Sequence, residues 1–486
     1  MQNFNAEEVR TFVRQWVEKN RQAAVLVSDS IFYFGELGMQ EHCSAELMKT
    51  ALAEHGFSVE GGISGFPTGF LATYGSGSPV IALHAEFDGL PSGAQKPGVT
   101  KQEWMTEGAP GHIEGHNSNG AVLVTAALAL RYAMEKFGIA GTLKVFGAPA
   151  EEQIISRPYF VRDGYFDDVD VALHNHIMDT FSTKYGVIQS SIVAAKFTFL
   201  GETAHAANAP WNARDALDAA VLMDIGLAQF REHMEPATCM ARVINYGGDQ
   251  SNVIPAKSIM SWNFRGPTAE AAQKLFEVGK RIARGAAMMA NCEVEIDIAS
   301  AVWPVRCNQS VAETIQRSIE WVGMPEWTDQ EQAFARALQK EIKKPEVGLH
   351  TQVKPLAGPS PQVLGGNDCG DISWKVPMGR VYFPGNIPHS QIHHWSAAAG
   401  LTTTINHKGL VAGSIATAVA ALEFLTDPAL LVRTKEQFKA EVGDVVYAPL
   451  LPKDQKPPVD LNAEVMERYR PAMERFYVKE KPVFLR

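Results

Sequence analysis

The sequence predicts an α/β fold in which a mostly parallel sheet is covered by helices and interrupted by a smaller α+β unit of two layers. Three observations carry this expectation. Apolar segments of strand length alternate with helical ones through the first 180 or so residues, a pattern that places parallel strands under crossover helices. Near Tyr185 the order changes to strand, helix, two strands, helix, strand, a self-contained unit of about 110 residues. Beyond it strand and helix resume, so the unit reads as an insertion.

In chain order, the first helix places Val9, Phe12, Val13, Trp16 and Val17 on one face, an amphipathic pattern unlike that of a leader peptide. Residues 80–87, 142–147 and 169–176 read as strands, and 120–134 as a helix. The insertion has strands at 192–201, 240–246, 258–265 and 293–299, with helices at 214–234 and 270–290. Residues 308–366 are poorly periodic; a strand at 380–383 and a helix at 409–425 follow. The Pro- and Lys-rich stretch beyond Asp427 reads as an extension wrapped on the surface. The expected domains are 1–186 and 301–430 as the two parts of the main body, 187–300 as the insertion, and 431–486 as the extension.

The chain has 486 residues, 46% of them hydrophobic and 20% charged, which excludes disorder, coiled coil and collagen and leaves ample volume for a core. Its net charge of −10, from 44 basic against 54 acidic residues, argues against nucleic acid as a partner, since that affinity comes from neutralised phosphates. The apolar stretches 122–130 and 410–425 read as buried helices, shorter than the roughly 20 uninterrupted apolar residues of a membrane span, so no membrane partner is expected. Five scattered cysteines without a C-x-x-C pair fit a reduced, cytoplasmic protein.

Eight of the 14 histidines fall in four short windows, and His205 stands apart as a ninth of interest. Residues 147–152, GAPAEE, put Glu151 and Glu152 at the end of an apolar strand. Adjacent carboxylates repel unless a cation separates their roles, one binding a metal and the other left free as a base. Residues 171–176, VALHNH, end a strand in His174 and His176; their i, i+2 spacing puts both on one face, one as a ligand and one as its support. Residues 111–117, GHIEGHN, bring His112, Glu114 and His116 to a helix start, and the turn-rich 384–390, PGNIPHS, carries His389. An open α/β sheet can gather ligands from such loops at one edge, and the combination points to a metal centre. His205, Asn252 and Arg265 lie in the insertion, and His205 meets the metal loops only by domain closure or in a partner chain.

HAEFDGLP at 84–91, GHN at 115–117, GAPAEE, ALHNH, GETAHA, APWNARDALDA, SNVIP and GNIPHS occur in this order. Over about residues 36–430 the sequence resembles the amidohydrolases of metallopeptidase family twenty, nearest the branch of the aminobenzoyl-glutamate hydrolase B subunit. The resemblance implies a zinc-exopeptidase-like catalytic domain with an inserted lid that dimerises, hence a homodimer. It implies Glu151 as general base and Glu152, His116, His176 and His389 as metal ligands. It further implies His205, helped by Asn252, as the donor to the developing oxyanion in the partner's site, and Arg265 as the grip on a carboxylate of a small-molecule substrate.

The sequence departs from that branch at Glu114, where C-G-H is usual. A carboxylate there still ligates but is harder than a thiolate, favouring Mn²⁺ relative to Zn²⁺, with one or two ions per subunit. His84, Asp88, His112 and His174 are supports or further ligands, and the pair His393 and His394 is peculiar to this chain. The expected activity is metal-dependent hydrolysis of a C–N bond, foremost the amide of an N-acyl or N-aroyl amino acid. Two alternatives stand beside it: deamination of an aromatic ring, as by 5-nitroanthranilate aminohydrolase, and a catalytically silent binding subunit.

Overall fold

The computed structural model describes residues 5–486. Its strands are β1 (Ser58–Gly61), β2 (Phe70–Ser76), β3 (Val80–Ala85), β4 (Gly141–Gly147), β5 (Val171–Met178), β6 (Gly186–Val187), β7 (Ser191–Leu200), β8 (Cys239–Tyr246), β9 (Lys257–Gly266), β10 (Glu293–Val302), β11 (Arg306–Cys307) and β12 (Met378–Pro384). The main sheet has the order β1-β2-β4-β3-β5-β12. Its β4-β3, β3-β5 and β5-β12 pairs are parallel, whereas β1 and β2 add an antiparallel edge. β3 and β12 are buried along their whole length, as continuous apolar strands covered on both faces must be. The α/β expectation therefore holds, and β1 and β2 are additions to it.

The helices His116–Phe137 and Thr404–Thr426 pack on each other and on this sheet. The second is 23 residues long and apolar enough by composition to cross a membrane, but 89% of its most apolar window is buried within the protein. It is longer than the sequence suggests because Thr and Ser interrupt the apolar run without ending the helix; Ser414 Oγ donates back to the Leu410 carbonyl.

The second sheet is antiparallel, in the order β10-β7-β9-β8. The helices Ala216–Phe230 and Ala269–Met289 cover one face, and β9 alternates buried with more exposed residues, as a half-covered sheet requires. The chain enters and leaves this unit through β6 and β11, which pair antiparallel.

The stretch that looks aperiodic holds two helices, Gln309–Val322 and Asp329–Glu341. The first buries Val311, Ala312, Ile315 and Ile319 together with Thr314, Gln316 and Ser318, so polar residues inside the buried face mask its period. The second starts with a capping box between Thr328 and Glu331. Beyond Asp427 the chain is also more helical than expected, with Pro428–Val442 and Ala463–Met473 flanking an extended strap. Side chains of the body hold that strap by its carbonyls. Trp303 donates to Ala448 at 2.8 Å, Arg162 to Pro452 at 3.1 Å and Gln455 at 2.8 Å, and Gln40 to Val459 at 3.1 Å and Leu461 at 3.0 Å. All five cysteines are free thiols.

Asp371 joins the start of the strap to the body. It is fully buried and accepts from the Trp303 N–H at 3.0 Å and the Tyr447 hydroxyl at 2.9 Å. Burial pushes its carboxyl up to about 7. A carboxyl raised in the folded state stabilises the fold fully below its unfolded value near 4 and loses that contribution as pH rises to about 7. Asp371→Asn, which keeps an acceptor and can donate to the Tyr447 oxygen, is expected to gain thermal stability relative to the parent at pH 8 but not at pH 4. Melting curves at the two pH values check this; equal differences would refute it.

Candidate metal centre

The candidate residues gather where the parallel strands of the main sheet end. Glu86 and Asp88 follow β3, Glu151 and Glu152 follow β4, β5 carries His174 and His176, and Glu114 precedes the helix that His116 begins. Asp88 fixes two of them. Its Oδ1 accepts from His116 Nδ1 at 3.0 Å, and its Oδ2 accepts from the Glu152 N–H at 2.9 Å. One proton of His116 is thereby held on Nδ1, and Nε2 is turned toward the cluster. His176 is oriented in the same way: Nδ1 donates to the Ile177 carbonyl at 2.8 Å.

His116 Nε2 is buried and has no hydrogen-bond partner, and neither has Glu152 Oε1. Glu114 Oε1 and Glu151 Oε2 each lie 3.9 Å from that His116 nitrogen. Glu114 Oε1 is also 3.4 Å from His176 Nε2, while its Oε2 is 2.9 Å from His393 Nε2. His393 Nε2 meets Glu152 Oε2 at 3.1 Å. Three triads offer ligand atoms within 4.8 Å of one another: Glu86, His116 and His176; Glu114, Glu152 and His393; and His116, Glu151 and Glu152.

The electrostatics fit a cation. Burial drives the Glu151 carboxyl well above the usual carboxylate range and raises Glu152 despite His393 and His116. Burial also opposes charge on His116, but Asp88, Glu152 and Glu114 outweigh it and hold the imidazole well above its ordinary value. Glu114 is held low, since hydrogen bonds from His176 and His393 overcome its burial. Orphaned buried donors of mixed nitrogen and oxygen type are what a divalent metal requires. Asn367 Nδ2 donates to Glu151 Oε1 at 2.5 Å, leaving Oε2 to face the cluster.

The structure does not bring His389 to this cluster. That residue is exposed, with φ 67°. The turn from Ile387 to Ser390 is closed by Ser390 N–H and Oγ on the Ile387 carbonyl at 3.1 and 2.7 Å, which leaves the His389 side chain in solvent. His393 occupies the place expected of it, registered by its N–H on the Ile113 carbonyl at 3.0 Å. Of the pair, His394 caps the following helix by accepting from Ser396 N–H, which leaves His393 as the one that meets Glu114 and Glu152. His393→Ala is expected to lower metal affinity by about 10- to 100-fold, whereas His389→Ala leaves it unchanged. Competition with a chelator measures both; the opposite ranking would restore His389.

His112 is turned away, with Nε2 on the Ile31 carbonyl at 3.1 Å, and burial pushes it down to about 3. His84 and His174 lie under the floor, stacked at 4.8 Å. His174 Nε2 donates to Glu86 Oε2 at 2.8 Å, and His84 Nδ1 accepts from Arg157 Nε at 3.2 Å. Burial holds both imidazoles neutral, well below their ordinary value. Arg157 pairs with both Glu86 and Asp368, all three side chains fully buried. Glu86 also accepts from Asn119 at 3.1 Å. Glu86, Arg157 and Asp368 were not among the residues expected here; the cues were the carboxylate of H-A-E and, for Asp368, the unusual loop GGNDCGD at 365–371.

Above the floor opens a cleft of about 940 Å³, walled by Trp262 and Arg265 of β9, by Lys184 and Arg380, and by the strap near Lys456. His205 and Asn252 are exposed and lie outside its lining. Their two segments are joined by the Ala206 N–H on the Asn252 carbonyl at 3.0 Å. His205 Nδ1 accepts from the N–H groups of Ala207 and Asn208, each at 3.2 Å, which leaves the proton on Nε2 as a donor facing outward.

Over 477 residues the chain is 29% identical to the B subunit of p-aminobenzoyl-glutamate hydrolase from Escherichia coli strain K12, covering 93% of this chain and 99% of that one. The crystal structure of the aminobenzoyl-glutamate utilization protein from Klebsiella pneumoniae superposes with a TM-score of 0.62 at 16% identity, over 87% of this chain and 99% of its own. A Bacillus subtilis protein described as a dinuclear metal-binding peptidase from the M20 family gives 0.52 at 18% identity, over 86% and 99%. Residues 82–406 match Peptidase family M20/M25/M40. Because that match runs from β3 through the whole second sheet to β12 and beyond, the chain belongs to the M20/M25/M40 peptidase family and is a metal-dependent hydrolase.

Proposed function

We propose that this protein hydrolyses the amide bond of an N-acyl or N-aroyl amino acid bearing a carboxylate, with Glu151 as general base. The observation that carries this reading is the placement of Glu151: one oxygen is held by Asn367 while the other faces the unpartnered His116 Nε2 on the floor of a substrate-sized cleft. The name of the Escherichia coli relative supports the substrate class.

Glu114, His116, Glu152, His176 and His393 would hold the metal. The bound ion supplies a Lewis acid and lowers the pKa of water. Glu151 takes a proton from the attacking water and returns it to the departing nitrogen, and burial, by raising its proton affinity, suits it to keep that proton between the two steps. Asp88 holds the His116 tautomer throughout. Glu114, in place of a thiolate, favours Mn²⁺ over Zn²⁺. The overlapping donor triads that share His116 support one or two ions. Arg265, half-buried in the cleft wall, grips the substrate carboxylate.

Residues 187–300 act in this reading as a lid that pairs with a second copy. β8 is an open edge strand with Val243 and Ile244 exposed, and Val221 and Ile225 are exposed on the adjoining helix; such an edge is a template for strand pairing. Pairing places His205 and Asn252 over the partner's cleft, where the outward N–H of His205 meets charge that develops on the carbonyl oxygen.

Metal-loaded protein incubated with N-benzoyl amino acids and with aromatic amines is expected to release benzoate and the free amino acid, both visible by mass spectrometry. Release of ammonia from the aromatic amines alone would replace amide hydrolysis by ring deamination.

A further inference from the structure

Arg380 is a cation in an otherwise apolar strand. It sits on β12 with 2% of its surface exposed, yet it lines the cleft. Its Nη1 donates to Gln189 Oε1 at 3.1 Å and Tyr382 Oη at 3.2 Å, its Nη2 donates to Cys369 Sγ at 2.9 Å, and its Nε has no partner. Every one of these acceptors is neutral. Burial pushes the Cys369 thiol up to about 12 and that of nearby Cys307 to about 11, and it raises the Tyr382 phenol above its usual value.

The contrast with Arg157 is direct. Arg157 is equally buried and is neutralised by Glu86 and Asp368 together, whereas Arg380 has no ion pair among the described residues. A second cation aggravates the imbalance: Lys184 also lines the cleft, with Nζ 5.2 Å from the centre of the Tyr382 ring, and burial and Arg380 together lower its proton affinity. A guanidinium cannot relieve its own desolvation by losing a proton, and a buried charge without a counter-ion is costly. Both cations line the cleft, the side from which an anion would reach them.

We propose that Arg380 and Lys184 form a second anion subsite, so that the cleft takes a substrate with two carboxylates, one at Arg265 and the other at Arg380. The identification of that ligand as an amide rests on the function proposed above; the binding of a dicarboxylate does not.

Calorimetry of metal-loaded protein compares terephthalate with benzoate and glutarate with butyrate. The parent is expected to bind the dicarboxylates about tenfold tighter, an advantage that Arg380→Gln and Lys184→Gln each reduce and Arg380→Lys partly retains. Lys184 is only half-buried, so Lys184→Gln keeps the test open if Arg380→Gln does not fold. In kinetics, Arg380→Gln should raise KM for N-benzoyl-glutamate more than for N-benzoyl-glutamine, or for N-(4-carboxybenzoyl)glycine more than for N-benzoylglycine, with kcat little changed. Equal affinity of the parent for mono- and dicarboxylates, or an undiminished preference in folded Lys184→Gln, would overturn the subsite. Dicarboxylate binding that depends on Arg380 without turnover of any amide would leave the subsite standing and remove the amide reading.

Discussion

Glu151→Gln is expected to lower kcat by about 10³-fold, the usual contribution of a positioned general base, with the metal content of the purified protein unchanged. Glutamine keeps the shape of the side chain and can still accept from Asn367 Nδ2, so the floor of the cleft is preserved. What disappears is the basic oxygen beside His116 Nε2. Steady-state kinetics with elemental analysis on the same sample makes the test, and parent-level turnover would remove Glu151 from the chemistry. The variant also reports on the lid. His205→Ala should be nearly inactive as well, since the outward N–H of His205 is then lost. With the two-copy pairing proposed above, refolding the two inactive chains together should restore about a quarter of the sites, because random two-fold pairing would place intact Glu151 and intact His205 in one cleft at that frequency. No recovery would mean that His205 does not act across subunits.

Arg157→Met is expected to produce the largest loss of stability. Arg157, Glu86 and Asp368 have no exposed side-chain surface, and one guanidinium compensates both carboxylates. Removing one partner of a buried pair costs about 3–5 kcal/mol, and here two carboxylates are stranded at once, so the loss should reach about 5 kcal/mol or prevent folding. Denaturant unfolding measures it, and a loss under about 1 kcal/mol, the value of a surface pair, would refute it. The triple change Arg157→Met, Glu86→Gln and Asp368→Asn should recover much of the loss, since the stranded charges are then gone. Glu86 Oε1 lies 3.5 Å from His176 Nε2, so the same pair also steadies the metal-facing floor.

How much of this was legible depended on distance along the chain. His116, Glu151, Glu152 and His176 were visible because each ends or begins a periodic segment, and a strand end in a parallel sheet points to one edge. The pairing of Arg157 with Asp368 was not: 211 positions separate them, and no local period reports a contact that exists only once β3, β4 and β5 are assembled. His393 stood in the sequence only as half of a peculiar pair, for a different reason. Both His389 and His393 have left-handed backbone, with φ 67° and 61°, so side-chain direction in that loop alternates with no period at all. The helix Gln309–Val322 was hidden by the polar Thr314, Gln316 and Ser318 on its buried face. The second sheet was legible throughout, because strand and helix periods alternate cleanly there.

The strap beyond Asp427 has one more consequence. From Ala448 to Leu461 the body grips it through backbone carbonyls, by the side chains of Trp303, Arg162 and Gln40. Pro452, Pro457 and Pro458 favour its extended path. Among its own side chains Leu450, Leu451 and Leu461 pack on the core, so the polar positions between them contribute little to the route it takes. Gln455, Lys456 and Leu461 nevertheless face the cleft. Mutations along this wall can accumulate at low cost to folding while they reshape the space the substrate meets. Drift in substrate preference between related chains should be freer in these dozen or so positions than anywhere on the metal-binding floor.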